Sequence, residues 1–155
     1  MGFAFGRSLA LVGVLVALTG CGGNPPAPEP PASPLAVTIM AGDDLNPDLD
    51  GRPSPVTLSI LQLRSAEAFS RADYFAIYDP ANASLAGEVI SREQLTLQPG
   101  EERTLVVQLA PEARYLGVAA AYRDIERAAW LAVAPLGDAL ASPKPVATIR
   151  VGSAA

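Results

Sequence analysis

From Leu35 onward the chain is a succession of short β-rich runs separated by Pro, Gly, Asp and Asn, and this punctuation limits the fold more than any other feature. Leu35 to Ala41 is the first candidate strand. In Pro55 to Leu63, Val56, Leu58 and Ile60 face one way and Thr57 and Ser59 the other. That alternation breaks at Leu61, which predicts a bulge or burial on both faces. Glu88 to Arg92 and Gln94 to Gln98 follow, as two short strands or one longer one. Pro99-Gly100 carries a type II turn signal, with Pro at i+1 and Gly at i+2. Arg103 to Leu109 comes next, and the two runs around the turn read as a hairpin. Tyr115 to Tyr122 (YLGVAAAY) is apolar on both parities and small in its middle, which predicts a central strand with something packed close against it. Ala129 to Ala134 and Val146 to Val151 complete a set of about seven or eight strands. The expected fold is all-β, a sandwich of two sheets.

One segment departs from the β pattern. Ser65 is placed to cap a helix, Glu67 lies in its first turn and Asp79-Pro80 would end it. Phe69, Ala72, Phe75 and Ala76 fall at helical spacing and predict one apolar face, with Tyr74 and Tyr78 on a second. The simplest role for such a helix is to cover one end of the sandwich.

Ahead of the β-rich region the N-terminus has the layout of a secretory signal. Arg7 precedes an apolar run from Leu9 to Leu18, then Leu18-Thr19-Gly20-Cys21. A helix over that run would rise about 15 Å, half of a roughly 30 Å hydrocarbon core, so the run is too short to span a bilayer. The only cysteine of the chain stands where a bacterial lipobox places the residue that is alkylated with diacylglycerol. The expected organisation is a signal over 1–20, a lipidated Cys21 with a linker over 21–34, and a sandwich domain over 35–155. The segment GGNPPAPEPPASP holds six prolines, favours polyproline II and would reach roughly 40 Å. It is a spacer.

Composition removes several function classes. The formal net charge is −5, and losing residues 1–20 with Arg7 makes it −6. That balance argues against nucleic acid and against a polybasic grip on anionic lipid. Membrane attachment then falls to the acyl chains. With Cys21 lipidated no disulfide can form. The chain has no histidine, hence no Ser-His or Cys-His arrangement and no imidazole ligand. Its one lysine, Lys144, lies between two prolines. No enzymatic activity, no cofactor beyond the covalent lipid and no small-molecule substrate are expected.

The most conspicuous loop is Asp43 to Pro53. Asn46-x-Asp48-x-Asp50-Gly51 imitates the first half of an EF-hand, but the twelfth position is Thr57, where a bidentate glutamate is needed. Asp and Asn also favour turns by bonding their own backbone. A charged loop bracketed by prolines suits partner docking.

Taken in order, these pieces resemble a known family. Asn46-Pro47-Asp48, Gly51-Arg52-Pro53-Ser54-Pro55-Val56 and Gln62-Leu63 are similar to the signature of the TssJ (VasD/Lip) family, outer-membrane lipoproteins of type VI secretion systems. Phe69 with Ala72-Asp73-Tyr74-Phe75 resembles its helical segment, and Leu97-x-Pro99-Gly100-Glu101 its hairpin. Tyr115-Leu116-Gly117-Val118, Ala120-Ala121-Tyr122-Arg123-Asp124 and Trp130 resemble its central strand and the turn after it. Leu61 and Leu131 depart from the family, which often has an aromatic and a basic residue there. The resemblance implies a transthyretin-like sandwich with an added helix, tethered to the periplasmic face of the outer membrane. It implies one partner, the periplasmic domain of TssM, in an envelope-spanning complex that includes TssL. It also points to the loop between the first two strands as the TssM contact, and so to Asp48, Asp50 and Arg52. Gly22, directly after the cysteine, fits outer-membrane sorting by the same resemblance. The alternative from another class is a lipid-anchored periplasmic module that binds a ligand or metal.

Overall fold

The computed structural model describes residues 33–79 and 83–153. The signal, Cys21, the proline-rich segment up to residue 32 and Pro80 lie outside the described residues. Seven strands form two sheets. They are β1 (Ser33–Ala41), β2 (Val56–Leu63), β3 (Val89–Leu97), β4 (Glu102–Leu109), β5 (Tyr115–Ala120), β6 (Leu131–Pro135) and β7 (Val146–Val151). One sheet has the order β4-β1-β7 and the other β3-β2-β5-β6. All neighbours run antiparallel except β1 and β7, which are parallel. β1 opens two residues ahead of the expected domain start at Leu35.

The alternating residues meet between the sheets. Leu35, Val37 and Ile39 of β1, with Val107 and Leu109 of β4, pack against Val56, Leu58 and Ile60 of β2 and Leu97 of β3. Gln62 spans the layers there. Its amide nitrogen donates to the Gln108 carbonyl at 2.9 Å and its oxygen accepts from the Ala110 N–H at 2.8 Å. The side chain is buried, and both ends are satisfied as burial requires.

The expected hairpin around Pro99-Gly100 is instead a crossover between sheets. β3 pairs with β2, and β4 pairs with β1. The turn itself is as predicted: Gly100 has φ +72° and the Glu101 N–H donates to the Gln98 carbonyl at 3.1 Å. A type II turn does not match the twist of a two-stranded hairpin, and here it carries the chain from one layer to the other. The two candidate runs before it are the single strand β3.

A second core explains why β2 and β5 are apolar on both parities. Leu61, Leu63 and Ala119 face away from the inter-sheet core and are covered by helices. The helix expected over 65–79 is two helices, α1 (Glu67–Arg71) and α2 (Tyr74–Tyr78), followed by α3 (Ala83–Ala86). A fourth, α4 (Gly137–Leu140), precedes β7. Ala72 is extended (ψ 140°), and Asp73 caps α2 by accepting the Ala76 N–H at 2.8 Å. Each of the first three helices sends one side chain down: Phe69, Ile77 and Leu85. Phe75, expected on the apolar face, is exposed because the break at Ala72 rotates α2 relative to α1. Tyr74 and Tyr78 are half-buried, and Tyr74 meets Trp130 edge-on at 5.6 Å.

Ser65 stands one residue ahead of the cap position, which Ala66 holds, and its hydroxyl accepts only the Glu67 N–H at 3.3 Å. The Glu88 carboxylate, just before β3, accepts the N–H groups of Ala68 (2.9 Å) and Phe69 (3.0 Å) and the Ser65 hydroxyl (2.9 Å). Burial opposes ionisation of Glu88, but these bonds outweigh it and hold the carboxyl below its ordinary range.

Leu61 pairs in regular register with Arg92 and is buried from the helical side, so its broken alternation reflects burial on both faces of β2. The register shift comes later, between Gln62 and Leu63, where Ile90 of β3 is the extra residue. The small residue in β5 has a direct cause. A Cβ on Gly117 would lie 2.8 Å from two ring atoms of Phe69 and 3.0 Å from Leu63. Both neighbours are fully buried and have nowhere to move. We expect Gly117→Ala to destabilise the domain by about 1–3 kcal/mol through overpacking, read as a lower urea midpoint at unchanged slope. An unchanged midpoint would show that the helical layer is loosely seated.

Candidate functional site

β1 runs from Ser33 at one end of the sandwich to Ala41 at the other, about 26 Å away at strand rise. The β1–β2 loop, residues 42–55, therefore emerges at the end remote from the N-terminal entry. Other segments gather at the same end. The Gly100 N–H donates to the Gly42 carbonyl at 3.1 Å and the Gly42 N–H to the Val151 carbonyl at 2.8 Å. The Tyr122 hydroxyl donates to the Gly152 carbonyl at 3.0 Å.

The loop is built from its base upward. Leu45 is buried in the inter-sheet core, and the Ser54 N–H closes on the Leu45 carbonyl at 2.9 Å. Asn46 is buried with φ +45°, a conformation that Asn tolerates better than most residues. At the tip, Asp48 Oδ1 accepts the N–H groups of Asp50 (2.9 Å) and Arg52 (3.0 Å), and Oδ2 accepts from Arg52 Nε at 3.0 Å. Arg52 Nη2 donates to Asp50 Oδ2, also at 3.0 Å. Gly51 supplies φ +77° at the turn.

The structure thus brings together the three residues singled out in the sequence and differentiates them. Asp48 is only 21% exposed and holds the turn, whereas Asp50 and Arg52 are 77% and 74% exposed. The Arg52 N–H is the main reason the Asp48 carboxyl sits below its usual range. Burial opposes this, and the Asp50 N–H, the Arg52 side chain and the nearby charge of Arg123 reinforce it. Both Asp48 oxygens accept from the chain's own donors, so the carboxylate is engaged in holding the turn. Among the described residues no three acidic side chains are grouped as metal ligands.

Leu49 is the residue that sequence reasoning passed over. It stands between Asp48 and Asp50 and is fully exposed. Its signal was available: a leucine inside an Asp-, Pro- and Gly-rich loop has no strand or helix face on which to hide. Elsewhere, a depression of about 510 Å³ lies over α1 and α2, edged by Glu67, Arg71, Asp73 and Ser84. A smaller groove of about 220 Å³, edged by Leu116, Val133 and Ile149, runs between β6 and β7.

Residues 33–153 match the model of the family described as type VI secretion lipoprotein, VasD, EvfM, TssJ. The chain belongs to this family. The crystal structure of the type VI lipoprotein TssJ1 from Pseudomonas aeruginosa is 34% identical, with a TM-score of 0.66, covering 79% of this chain and 89% of that one. A chain in a structure described as a type VI membrane complex is 29% identical (TM-score 0.69), covering 78% and 93%. A chain in a structure described as the TssM C-terminal domain (869-1107) from EAEC is 27% identical (TM-score 0.66), covering 77% and 92%. A comparison with curated proteins returns no match. The family is a structural component of a secretion apparatus, and the two-sheet fold expected from the sequence is the fold of its solved members.

The depressed Asp48 pKa makes the turn acid-sensitive in a defined direction. Its stabilisation is complete above the pKa of an unfolded aspartate, about 3.9, and is lost as pH falls through the lower folded value. The Asp50 and Arg52 amide resonances should therefore titrate together with a midpoint below about 3.9. Asp48→Asn should abolish that transition and speed exchange of both amides at neutral pH. A midpoint at or above the unfolded value would mean that the carboxylate does not hold the turn.

Proposed function

We propose that this chain fastens a type VI membrane complex to the outer membrane, with lipid on Cys21 at one end and the periplasmic domain of TssM gripped by the other. One observation carries the reading. The N-terminal entry at Ser33 and the loop bearing Asp48, Leu49, Asp50 and Arg52 lie at opposite ends of one rigid sandwich. A tether needs two attachment points that cannot interfere with each other. The signal over 1–20, the lipid on Cys21 and the spacer over 21–34 supply the membrane end, on the periplasmic face.

The protein end has an apolar tip braced by a turn that is already formed, so little order is lost on binding. The similarity to a chain in a TssM structure supports the choice of partner. Covering 77% of 155 residues and 92% of the matched chain puts that chain near 130 residues, while 869–1107 spans about 240. The matched chain is thus too short to be the named fragment, and we read it as a companion solved with TssM. The role is non-catalytic: a chain without histidine, in a structural family, holds rather than transforms.

Titrating the soluble chain (from residue 22) with the periplasmic part of the cognate TssM should give a Kd near micromolar or tighter, about −8 kcal/mol. Leu49→Asp should weaken it at least tenfold, or about 1.4 kcal/mol, at unchanged thermal unfolding. No binding by the unsubstituted chain overturns the partner. Cys21→Ser should move the protein from the membrane to the soluble periplasmic fraction, and retention in the membrane would overturn the anchor.

A further inference from the structure

We propose that the docking surface is composite. The exposed face of the β5–β6 loop, Arg123, Glu126 and Arg127, meets the same partner as Leu49, and Asn46 is the positioning residue that fixes the two in register. This rests on the reading that the distal end binds the TssM periplasmic domain.

The link is specific. Asn46 is 3% exposed, and both ends of its amide are used on different segments. Its nitrogen donates to the Pro55 carbonyl at 2.8 Å, and its oxygen accepts the Arg123 N–H at 2.9 Å, across 77 residues of sequence. A buried amide with a donor spent on one loop and an acceptor on another holds both at a fixed spacing.

The second loop is rigid in its own right. The Ala121 N–H donates to the Thr57 carbonyl (2.8 Å) and the Ala128 N–H to the Asp124 carbonyl (3.1 Å). Ile125 and Ala128 pack onto the inter-sheet core, and Arg127 pairs with Asp124 at 3.5 Å. Arg123, Glu126 and Arg127 are left exposed on a backbone fixed before any partner arrives. Arg123 also contributes to the lowered pKa of Asp48, so its charge is felt at the tip of the first loop. The combined face presents an apolar knob, the exposed carboxylates of Asp43, Asp44 and Asp50, and the guanidinium groups of Arg123 and Arg127. Its complement is an apolar socket flanked by basic groups on one side and acidic groups on the other.

The test titrates TssM periplasmic domain into the soluble chain and into variants. Glu126→Lys and Arg127→Glu alter exposed side chains, the second also giving up the Asp124 pair, and each should raise Kd about tenfold with a changed salt dependence. Asn46→Gly tolerates the backbone angle but loses both bonds, and should weaken binding comparably at temperatures well below unfolding. Asn46→Asp keeps the acceptor for the Arg123 N–H but sets a second acceptor against the Pro55 carbonyl, and should weaken binding as well; a merely structural Asn46 would change the melting temperature and not the Kd. If the unsubstituted chain binds and Leu49→Asp weakens it while Arg127→Glu and Glu126→Lys do not, the composite surface is overturned and the partner stands. If the unsubstituted chain fails to bind, the underlying functional reading falls instead. Should Asn46→Gly prove too unstable to titrate, the two exposed variants still decide.

Discussion

The contact between the Phe69 ring and the bare backbone of Gly117 sets how close the helical layer can come to the sheet, and much else depends on that distance. With Phe69 seated, Ile77 and Leu85 reach Leu61, Leu63 and Ala119, and β2 and β5 become central strands buried on both faces. A sheet covered on both sides is hard to shear or slip, because a one-residue slip would move every side chain to the opposite face. The capping carboxylate of Glu88 belongs to the same unit, since it joins the start of α1 to the start of β3. Among the described residues no such cover lies over the β4-β1-β7 sheet. Across its outer face Thr104, Thr38 and Thr148 stand in one row and Val106, Ala36 and Val146 in the next.

In the proposed function, recognition falls to the loops at one end. They are unusually well fastened for connecting segments: Leu45 and Ile125 reach into the core, Asn46 bridges two loops, and Tyr122 ties the β5–β6 connection to the residue after β7. Surface charge alone would have suggested an acidic loop reaching for a cation. The geometry shows that Asp48, Asp50 and Arg52 largely satisfy one another, and that the element left without an internal partner is apolar.

Much of the fold was legible because strand punctuation and parity are local signals. The Val56, Leu58, Ile60 face and the two-sided apolarity of YLGVAAAY both correspond to real burial. The lost information is pairwise. Leu95 and Leu97 alternate identically whether β3 pairs with β4 or crosses to another sheet, and only the type II geometry of Pro99-Gly100 distinguished the cases. The helix break was carried by Asp73, which reads equally well as a mid-helix residue or as a cap. At the site, charge and punctuation marked the loop, and the family resemblance singled out Asp48, Asp50 and Arg52 within it. Asn46 drew notice as a mock calcium ligand and as part of the family signature but not as a bridge, because its bond to Arg123 has no sequence-local trace. Leu49 was passed over because charged neighbours draw the eye from the apolar residue between them.

β1 is the middle strand of its sheet, held by β4 on one side and β7 on the other, and it joins the N-terminal entry directly to the β1–β2 loop. In the proposed tether, a pull between membrane and partner would run lengthwise along this strand. Its hydrogen bonds to both neighbours would then be loaded together, as in a lap joint, and not opened one at a time like a zipper. For the proposed tether, the order β4-β1-β7 would spread such a load over two ladders at once.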